Sequence, residues 1–195
     1  MTEFAGNSYC LNPNCQHPQN TLTAENCNTC GTTLLLQNRY RAIKLLGSGG
    51  FGRTFLAIDT SKDSQNRCVI KQFFPKTNVN RQKASELFSQ EAEKLKNVGK
   101  IRQIPALFDY FEEGKEQYLL QEYISGDNLA QELEKEGPFD ERKIRCVLEQ
   151  LLPVLANIHN QKMIHRDIKP ENIIRRSCNG NLVLVDFVGY YQMRK

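Results

Sequence analysis

The chain lacks several features that would assign it to whole classes of protein. Its apolar runs fall well short of the roughly 18 residues that span a bilayer. Its first ten residues, MTEFAGNSYC, contain no basic stretch followed by an apolar core. We therefore expect no membrane span and no secretory signal, and a cytoplasmic location. The net charge of +4 is small, so we expect no nucleic-acid partner.

Lysine and arginine are absent from the first 38 of the 195 residues. That segment carries only two acids, Glu3 and Glu25, yet it holds seven asparagines and four of the seven cysteines. The rest of the chain has an ordinary mixture of charges. This change of composition predicts a small module at residues 1–38 and a larger domain at residues 39–195.

The four cysteines of the first segment form a C-x4-C-x11-C-x2-C pattern, Cys10, Cys15, Cys27 and Cys30. Two close pairs joined by a loop can supply four thiolates to a tetrahedral ion. The segment has too few apolar residues to close a core, so a metal would have to supply its folding energy. We predict a structural zinc. Disulfides are the alternative, disfavoured by a reducing compartment. His17 could replace a cysteine as ligand, but it lies next to Pro18 in a loop and we expect it to be a bystander.

The remaining cysteines, Cys68, Cys146 and Cys178, occur singly in apolar patterns. Free cysteine is among the most frequently buried residue types. We therefore expect all three to be small buried side chains.

From Arg39 onward, strands come first and helices follow. The patterns predict, in order, a strand, glycine-rich turn and strand over 39–60, a strand at 66–74, a helix at 84–98, a hairpin at 106–124, a short helix at 127–136, a long helix after Asp140 and a hairpin at 172–185 that turns at Asn179-Gly180. This order favours an α+β fold with two lobes.

The segment GSGGFG contains Gly47, Gly49 and Gly52 in a G-x-G-x-x-G spacing. In a dinucleotide-binding fold such a segment opens a helix, but here the next residues, RTFLAID, are typical of a strand. A glycine-rich turn between two strands can lay backbone N–H groups over a polyphosphate. A plain glycine hairpin remains an alternative for this segment alone.

Lys71 lies in the middle of the third predicted strand, CVIK. A lysine on an apolar strand needs an anionic partner unless it is solvated. Glu91, on the amphipathic helix that follows, could be that partner and hold the ammonium toward a phosphate.

The segment IHRDIKPENII concentrates chemistry in a few residues. Asp167 offers a carboxylate base, Lys169 a cation for a transferred phosphate and Asn172 an amide ligand for a metal. A second acid, Asp186, follows the apolar run LVLV, which is typical of a buried strand.

Together these segments resemble the eukaryotic-like, Hanks-type serine/threonine protein kinases over about residues 40–187. The four-cysteine segment joined to GGFGRTF is similar to a cyanobacterial group of them. The resemblance implies a kinase-like N-lobe at about 39–124, the start of a helical C-lobe at about 125–195, and a zinc-ribbon-like module before them. It implies transfer of the γ-phosphate of ATP to a serine or threonine hydroxyl of a protein substrate.

The resemblance also implies roles for individual residues. Asp167 would orient the substrate hydroxyl, Lys169 would lie near the γ-phosphate, and Lys71 would bind the α- and β-phosphates while paired with Glu91. Asn172 and Asp186 would bind Mg²⁺. The residues that would surround ATP are Gly47, Ser48, Gly49, Gly50, Phe51 and Gly52, with adenine at the backbone of Glu122 and Ile124 after a gatekeeper at Gln121.

One departure concerns Val188, which follows Asp186 and Phe187 where the kinase pattern has glycine. Beyond it there is no activation loop and no A-P-E motif. We therefore expect a C-terminally truncated or frame-disrupted kinase. The alternatives are an ATP-binding pseudokinase that acts as a regulatory module, and a zinc-ribbon adaptor without catalysis.

Overall fold

The computed structural model describes residues 7–49, 52–61, 66–74, 81–98, 101–114 and 116–186, with the side chains at 81, 83, 87, 91, 94 and 97 excepted. The chain divides into two compact units. One comprises Met1–Ser85 and Phe108–Tyr123, and the other comprises Glu86–Leu107 and Ile124–Lys195.

The first unit is built from antiparallel strands. Its four-cysteine segment contains a two-stranded sheet, β1 (Asn7–Tyr9) with β2 (Gln19–Thr21). A six-stranded sheet follows in the order β3-β4-β5-β6-β8-β7. Its strands are β3 (Leu35–Leu36), β4 (Tyr40–Ser48), β5 (Gly52–Asp59), β6 (Asn66–Phe73), β7 (Leu107–Glu113) and β8 (Glu116–Glu122).

The six-stranded sheet is strongly curled. Gln37 follows one edge strand and Glu113 ends the other, yet the backbone and side-chain nitrogens of Gln37 donate to Glu113 Oε2 at 3.2 and 2.9 Å. Strand twist of the usual hand accumulates over six strands and allows the two edges to approach. The curl encloses an apolar core that includes Phe55, Ile70 and Leu120.

The four-cysteine segment shares this core. Leu11 is buried in the same cluster as Phe55, and the Tyr9 ring lies 5.3 Å from the Phe55 ring, centroid to centroid. The backbone of this segment is therefore packed against the sheet and does not form a separate body.

Helix α1 comprises Arg81–Val98, three residues longer at its start than the predicted helix. Its buried side chains recur at the helical spacing that the sequence indicated, and they are Ala84, Phe88, Ala92, Leu95 and Val98.

The second unit contains a three-stranded antiparallel sheet in the order β11-β10-β9. The strands are β9 (Gly126–Asn128), β10 (Ile173–Arg176) and β11 (Leu182–Leu184), and the helices are α2 (Leu129–Glu136) and α3 (Glu141–Asn160), with a short 3-10 helix at Pro170–Asn172. Buried Leu182, Val183 and Leu184 make β11 the centre of this core.

Two predictions about this unit need correction. Asp127 and Asn128 belong to strand β9 and not to the short helix. Helix α2 begins only after Asn128, which is its N-cap: the Asn128 side chain accepts from the backbone N–H of Gln131 at 2.8 Å. The final hairpin does not use a two-residue turn. Arg176 donates to the carbonyl of Asn181 at 2.9 Å, so the loop between them has four residues.

Helix α3 begins as predicted, with Asp140 accepting from the backbone N–H of Lys143 at 2.7 Å. Its apolar face is only partly covered. Leu151 and Ile158 are buried, whereas Leu148 and Leu152 are 47% and 57% exposed. Within the described residues, no helix is both long and apolar enough to cross a membrane.

A buried carboxylate joins three elements of this unit. Glu132, on α2, pairs with Arg175 of β10 at 2.6 Å and with Lys143 of α3 at 3.0 Å. Burial raises the pKa of this carboxyl, but the hydrogen bonds from Arg175 and Lys143 outweigh it, and the net pKa lies below its usual value.

Gly126 provides a test of the β9–β10 pairing. Its φ is +155°, and a Cβ there would overlap the carbonyl oxygen of Arg175. We expect Gly126→Ala to lower the free energy of unfolding by about 3 kcal/mol, since backbone strain and overlap add. Denaturant unfolding followed by circular dichroism measures it. Gly180→Ala is the control, because Gly180 has φ +72° but open space around it, and it should cost only about 1 kcal/mol. Equal losses in the two variants would contradict this account.

Candidate functional site

Antiparallel pairing of β10 with β11 brings the polar residues of the second unit together. Ile173 pairs with Leu184, so the residue before β10 meets the residue after β11. The N–H of Val185 donates to the carbonyl of Asn172 at 2.9 Å. Asn172 and Asp186 are therefore at the same end of the hairpin, although 14 positions separate them in the sequence.

Asn172 holds Asp167 in a fixed position. Its side-chain nitrogen donates to both the backbone carbonyl and the Oδ2 of Asp167, each at 2.8 Å. Lys169 Nζ lies 2.9 Å from the same Oδ2. The structure thus brings together the three residues that the sequence singled out in this segment.

These contacts set the charge of Asp167. The hydrogen bond from Lys169 lowers the pKa of the Asp167 carboxyl, and the hydrogen bond from Asn172 lowers it further. The same contact raises the pKa of Lys169. The carboxylate is therefore ionised at neutral pH, and it can orient a hydroxyl better than it can store a proton.

His165 was not assigned a role from the sequence, yet it supports this site. It is fully buried, its Nε2 lies 2.9 Å from the carbonyl oxygen of Val185, and its Nδ1 accepts from the N–H of Asp167 at 3.3 Å. A carbonyl can only accept, so the ring proton belongs on Nε2. His165 thereby joins Asp167 to the end of β11. Its sequence signal was only its proximity to Asp167.

Two residues of this site have left-handed backbone. Asp186 has φ +60° and Arg166 has φ +69°. Left-handed backbone is uncommon for residues other than glycine, and it marks turns or functional strain. Each residue turns the chain sharply beside Asp167 or the end of β11.

The glycine-rich turn lies in the first unit, between β4 and β5. Gly47 pairs with Thr54, and the N–H of Gly49 donates to the carbonyl of Gly52 at 2.8 Å. Ser48 pairs with Arg53. The segment is thus a hairpin between two strands, as predicted. Gly50 and Phe51 lie outside the described residues.

The structure explains the need for glycine at Gly52 but not at Gly47 and Gly49. A Cβ at Gly52 would overlap the backbone carbonyl of Gln72, so packing alone requires a glycine there. Ideal Cβ atoms at Gly47 and Gly49 would meet nothing within 4 Å, and neither residue has a positive φ. Within the described part of the chain, packing and backbone conformation do not explain these two glycines.

Lys71 lies on β6, opposite Thr54 of β5 and Leu119 of β8, and is half-buried. The backbone of Glu91 is in α1, but its side chain lies outside the described residues, so the predicted pair stays a prediction. Glu122 ends β8 opposite Cys68, and Ile124 is buried in the second unit. Phe187 and Val188 also lie outside the described residues.

The four predicted metal ligands converge. The Sγ atoms of Cys10, Cys15, Cys27 and Cys30 all lie within 4.8 Å of one another, with Cys10–Cys30 and Cys15–Cys27 each at 3.6 Å. These separations are too long for disulfides. They suit the sulfurs of a tetrahedral site, which lie about 3.8 Å apart when each is about 2.3 Å from zinc. His17 is outside this group.

Backbone and side-chain hydrogen bonds favour the thiolate form at two of the four cysteines, whereas burial raises the pKa of Cys10 and Cys15. Burial raises the pKa of the Cys27 thiol, but hydrogen bonds from the backbone of Cys30 and Thr29 outweigh it and lower the pKa to about 6. A hydrogen bond between Cys30 Sγ and the Thr32 side chain also lowers the pKa of Cys30. Thiolates are the form that binds metal.

The expectation for the other cysteines was wrong in two cases. Cys68 is buried in the first unit, but Cys146 and Cys178 are exposed. Cys146 lies on the solvent side of α3 and Cys178 in the loop between β10 and β11, so neither apolar pattern led to burial.

Comparison with known proteins agrees with these motifs. The chain is 49% identical over 183 residues to serine/threonine-protein kinase B of Synechocystis, covering 92% of this chain and 32% of that protein. It is 47% identical over 156 residues to serine/threonine-protein kinase PknA of Nostoc, covering 78% of this chain and 28% of that one. The chain therefore spans about a third of the length of these curated relatives.

A solved structure described as PpkA-294 apo form has the same fold. The TM-score is 0.66 at 24% identity, covering 80% of this chain and 60% of that one. Residues 40–193 match the protein kinase domain family. The α+β kinase-like fold expected from the motifs is confirmed, and the chain belongs to the protein kinase family, with cyanobacterial serine/threonine kinases among its relatives.

Proposed function

We propose that this chain carries the ATP site and phosphoryl-transfer residues of a serine/threonine protein kinase, and that a protein serine or threonine hydroxyl is the acceptor. The observation that carries the proposal is the Asp167 carboxylate, which Lys169 and Asn172 hold at the hairpin end where Asp186 also lies.

Asp167 would act by orienting the acceptor hydroxyl. Its lowered pKa makes it a weak base, which suits a loose transition state in which the hydroxyl proton leaves late. Lys169 would offset the negative charge of the transferred phosphoryl group. Its contact with Asp167 keeps both groups in one position before substrate binds.

Asn172 and Asp186 have the chemistry to hold Mg²⁺. The side-chain nitrogen of Asn172 is occupied by Asp167, so its amide oxygen is the atom that could bind a hard cation. Asp186 supplies a carboxylate at the adjoining end of β11. Bound there, Mg²⁺ would neutralise charge on the phosphates.

Gly47, Ser48 and Gly49 would cover the phosphates of ATP, together with Gly50, Phe51 and Gly52. Open space at Gly47 and Gly49 supports this, because a close ligand explains two glycines that packing does not. Lys71 would bind the α- and β-phosphates, and the backbone of Glu122 and Ile124 would meet adenine. The pseudokinase and adaptor alternatives are not favoured by the relatives that the chain matches.

We also propose that the four-cysteine cluster binds a structural zinc ion. The support is its set of four sulfurs at tetrahedral separations. The division into a module at 1–38 and lobes at about 39–124 and 125–195, and the cytoplasmic location, stay predictions.

The kinase proposal predicts loss of phosphate transfer in two variants. With labelled ATP, Mg²⁺ and a generic protein acceptor, Asp167→Asn and Lys71→Ala should each lower transfer by the full chain at least about 100-fold. The matched controls are Asp127→Asn and Lys44→Ala, at exposed positions that have no role in the proposed site, and these should keep wild-type transfer. Unchanged transfer in the first two variants would refute the assignment.

The zinc proposal predicts one bound zinc per chain. Native mass spectrometry of the full chain should show the mass of one zinc ion, which a chelator removes and Cys15→Ser abolishes. Cys146→Ser is the control, since Cys146 is exposed and lies outside the cluster. A chain of the same mass with and without chelator would rule the metal out.

A further inference from the structure

One backbone carbonyl joins the four-cysteine cluster to the strands of the proposed ATP site. The carbonyl oxygen of Leu11 accepts a hydrogen bond from Arg53 Nη2 at 2.8 Å and another from Gln72 Nε2 at 2.8 Å. Both donors belong to the six-stranded sheet, and Leu11 belongs to the four-cysteine segment. All three residues lie in the first unit.

Within the four-cysteine segment, neighbouring residues hold Leu11 in place. It directly follows Cys10, whose Sγ lies 3.6 Å from that of Cys30. The Cys10 N–H donates to the carbonyl of Pro18 at 2.7 Å, and the Leu11 side chain is buried in the core of the sheet. A metal that draws the four sulfurs together would therefore also set the position of the Leu11 carbonyl.

On the sheet side, the two donors adjoin the residues proposed to bind ATP. Arg53 follows Gly52, where the glycine-rich turn ends, and Gln72 follows Lys71. Arg53 and Gln72 are direct partners in the β5–β6 register. Arg53 also donates to Gln72 Oε1, from Nε at 3.2 Å and from Nη2 at 2.5 Å. The two side chains and the carbonyl are thus hydrogen-bonded in every pair, and we call this set the Leu11 clamp. Gln72 Nε2 also donates to the Tyr118 hydroxyl at 3.2 Å.

The positive charge of the Leu11 clamp is the Arg53 guanidinium, which its contacts hold in one position. The Arg53 guanidinium donates to the neutral oxygens of Leu11 and Gln72, and it lies over the rings of Phe55 and Phe74 at 5.2 and 5.5 Å from their centroids. Burial lowers the pKa of Arg53, which is the mark of a desolvated cation. A buried cation without hydrogen-bond acceptors has a large unfavourable free energy. Displacement of the Leu11 carbonyl should therefore shift Arg53 and the strand that carries it, β5.

We propose that the Leu11 clamp couples metal binding at the four cysteines to nucleotide binding at the glycine-rich turn and Lys71, with Arg53 and Gln72 as positioning residues. This inference rests on the proposed function, because it requires both the metal and the nucleotide to bind. By linkage, the coupling is reciprocal: zinc should tighten nucleotide binding and nucleotide should tighten zinc binding by the same factor.

The chain offers a matched control in Arg41. This buried arginine also ties the four-cysteine segment to the sheet, donating to Ser8 Oγ at 3.1 Å and to the carbonyl of Ala24 at 2.7 Å. It lies near the start of β4, at the opposite end of that strand from Gly47. Loss of Arg41 should weaken attachment of the segment without removing the clamp.

The experiment measures the Kd of a fluorescent ATP analogue for the full chain, with Mg²⁺ present, before and after zinc is removed by a chelator selective for zinc over magnesium. In the wild type we expect removal of zinc to raise the Kd about 10-fold, within the usual range of coupling between sites. In Arg53→Ala the Kd should already be raised with zinc bound, and the ratio of the two Kd values should fall to about 1. In Arg41→Ala the ratio should remain as in the wild type.

Two further variants separate the clamp from simple loss of folding. Gln72→Glu keeps an acceptor for Arg53 but removes the donor to Leu11, so it should lower the ratio without loss of the β5–β6 pairing. Arg53→Lys keeps the positive charge and a donor group. Its ratio of the Kd without zinc to the Kd with zinc should therefore lie between those of Arg53→Ala and the wild type. In the wild type, zinc affinity measured by competition with a chromogenic chelator should rise about 10-fold when the ATP analogue is bound.

The outcomes distinguish this inference from the function on which it rests. A wild type that binds the analogue equally well with and without zinc would refute the coupling and leave the kinase proposal standing. A wild type that binds no analogue in either state would refute both. If Arg53→Ala kept the wild-type ratio, or Arg41→Ala lost it as well, the coupling would not pass through the clamp.

Discussion

The site in the second unit depends on the antiparallel pairing of β10 with β11. This pairing brings the carbonyl of Asn172 to the N–H of Val185 and so puts Asn172 beside the residue that precedes Asp186. The Asn172 side chain then holds Asp167, and buried His165 joins Asp167 to the same strand end. A slip of one residue in this register would separate the polar groups and turn the core side chains of β11 outward.

In the first unit, the Leu11 carbonyl is one of the contacts that join the four-cysteine segment to the sheet. The four-cysteine segment has little core of its own, and it packs Leu11 and Tyr9 against the apolar face of the curled sheet. Hydrogen bonds from Arg53 and Gln72 then fix its backbone. A four-cysteine segment attached in this way is part of the first unit, because its backbone supplies acceptors for buried donors of the sheet.

Local features of this protein were readable from the sequence because they need only short-range rules. The helical spacing of Phe88, Ala92 and Leu95 and the cap at Asp140 are of this kind. Errors occurred where a distant partner decided the outcome. Asp127 belongs to a strand because it pairs with Arg175, 48 positions away, and Cys146 is exposed because no neighbour covers its side of α3 in the described residues. The local pattern of apolar and polar residues does not predict contacts with residues that are distant in the sequence.

The sequence by itself determined which chemical groups are available: four cysteines at ligand spacing, a glycine-rich turn between strands, and two acids with an amide near the end of a hairpin. Only the tertiary structure decided which of them meet. It showed that the Gln72 carbonyl leaves room only for glycine at Gly52, whereas packing does not require glycine at Gly47 and Gly49. It also showed that Arg53 donates a hydrogen bond to the four-cysteine segment. The physical reason is that residue type sets what a group can bond, while strand register and curl set the partner it reaches.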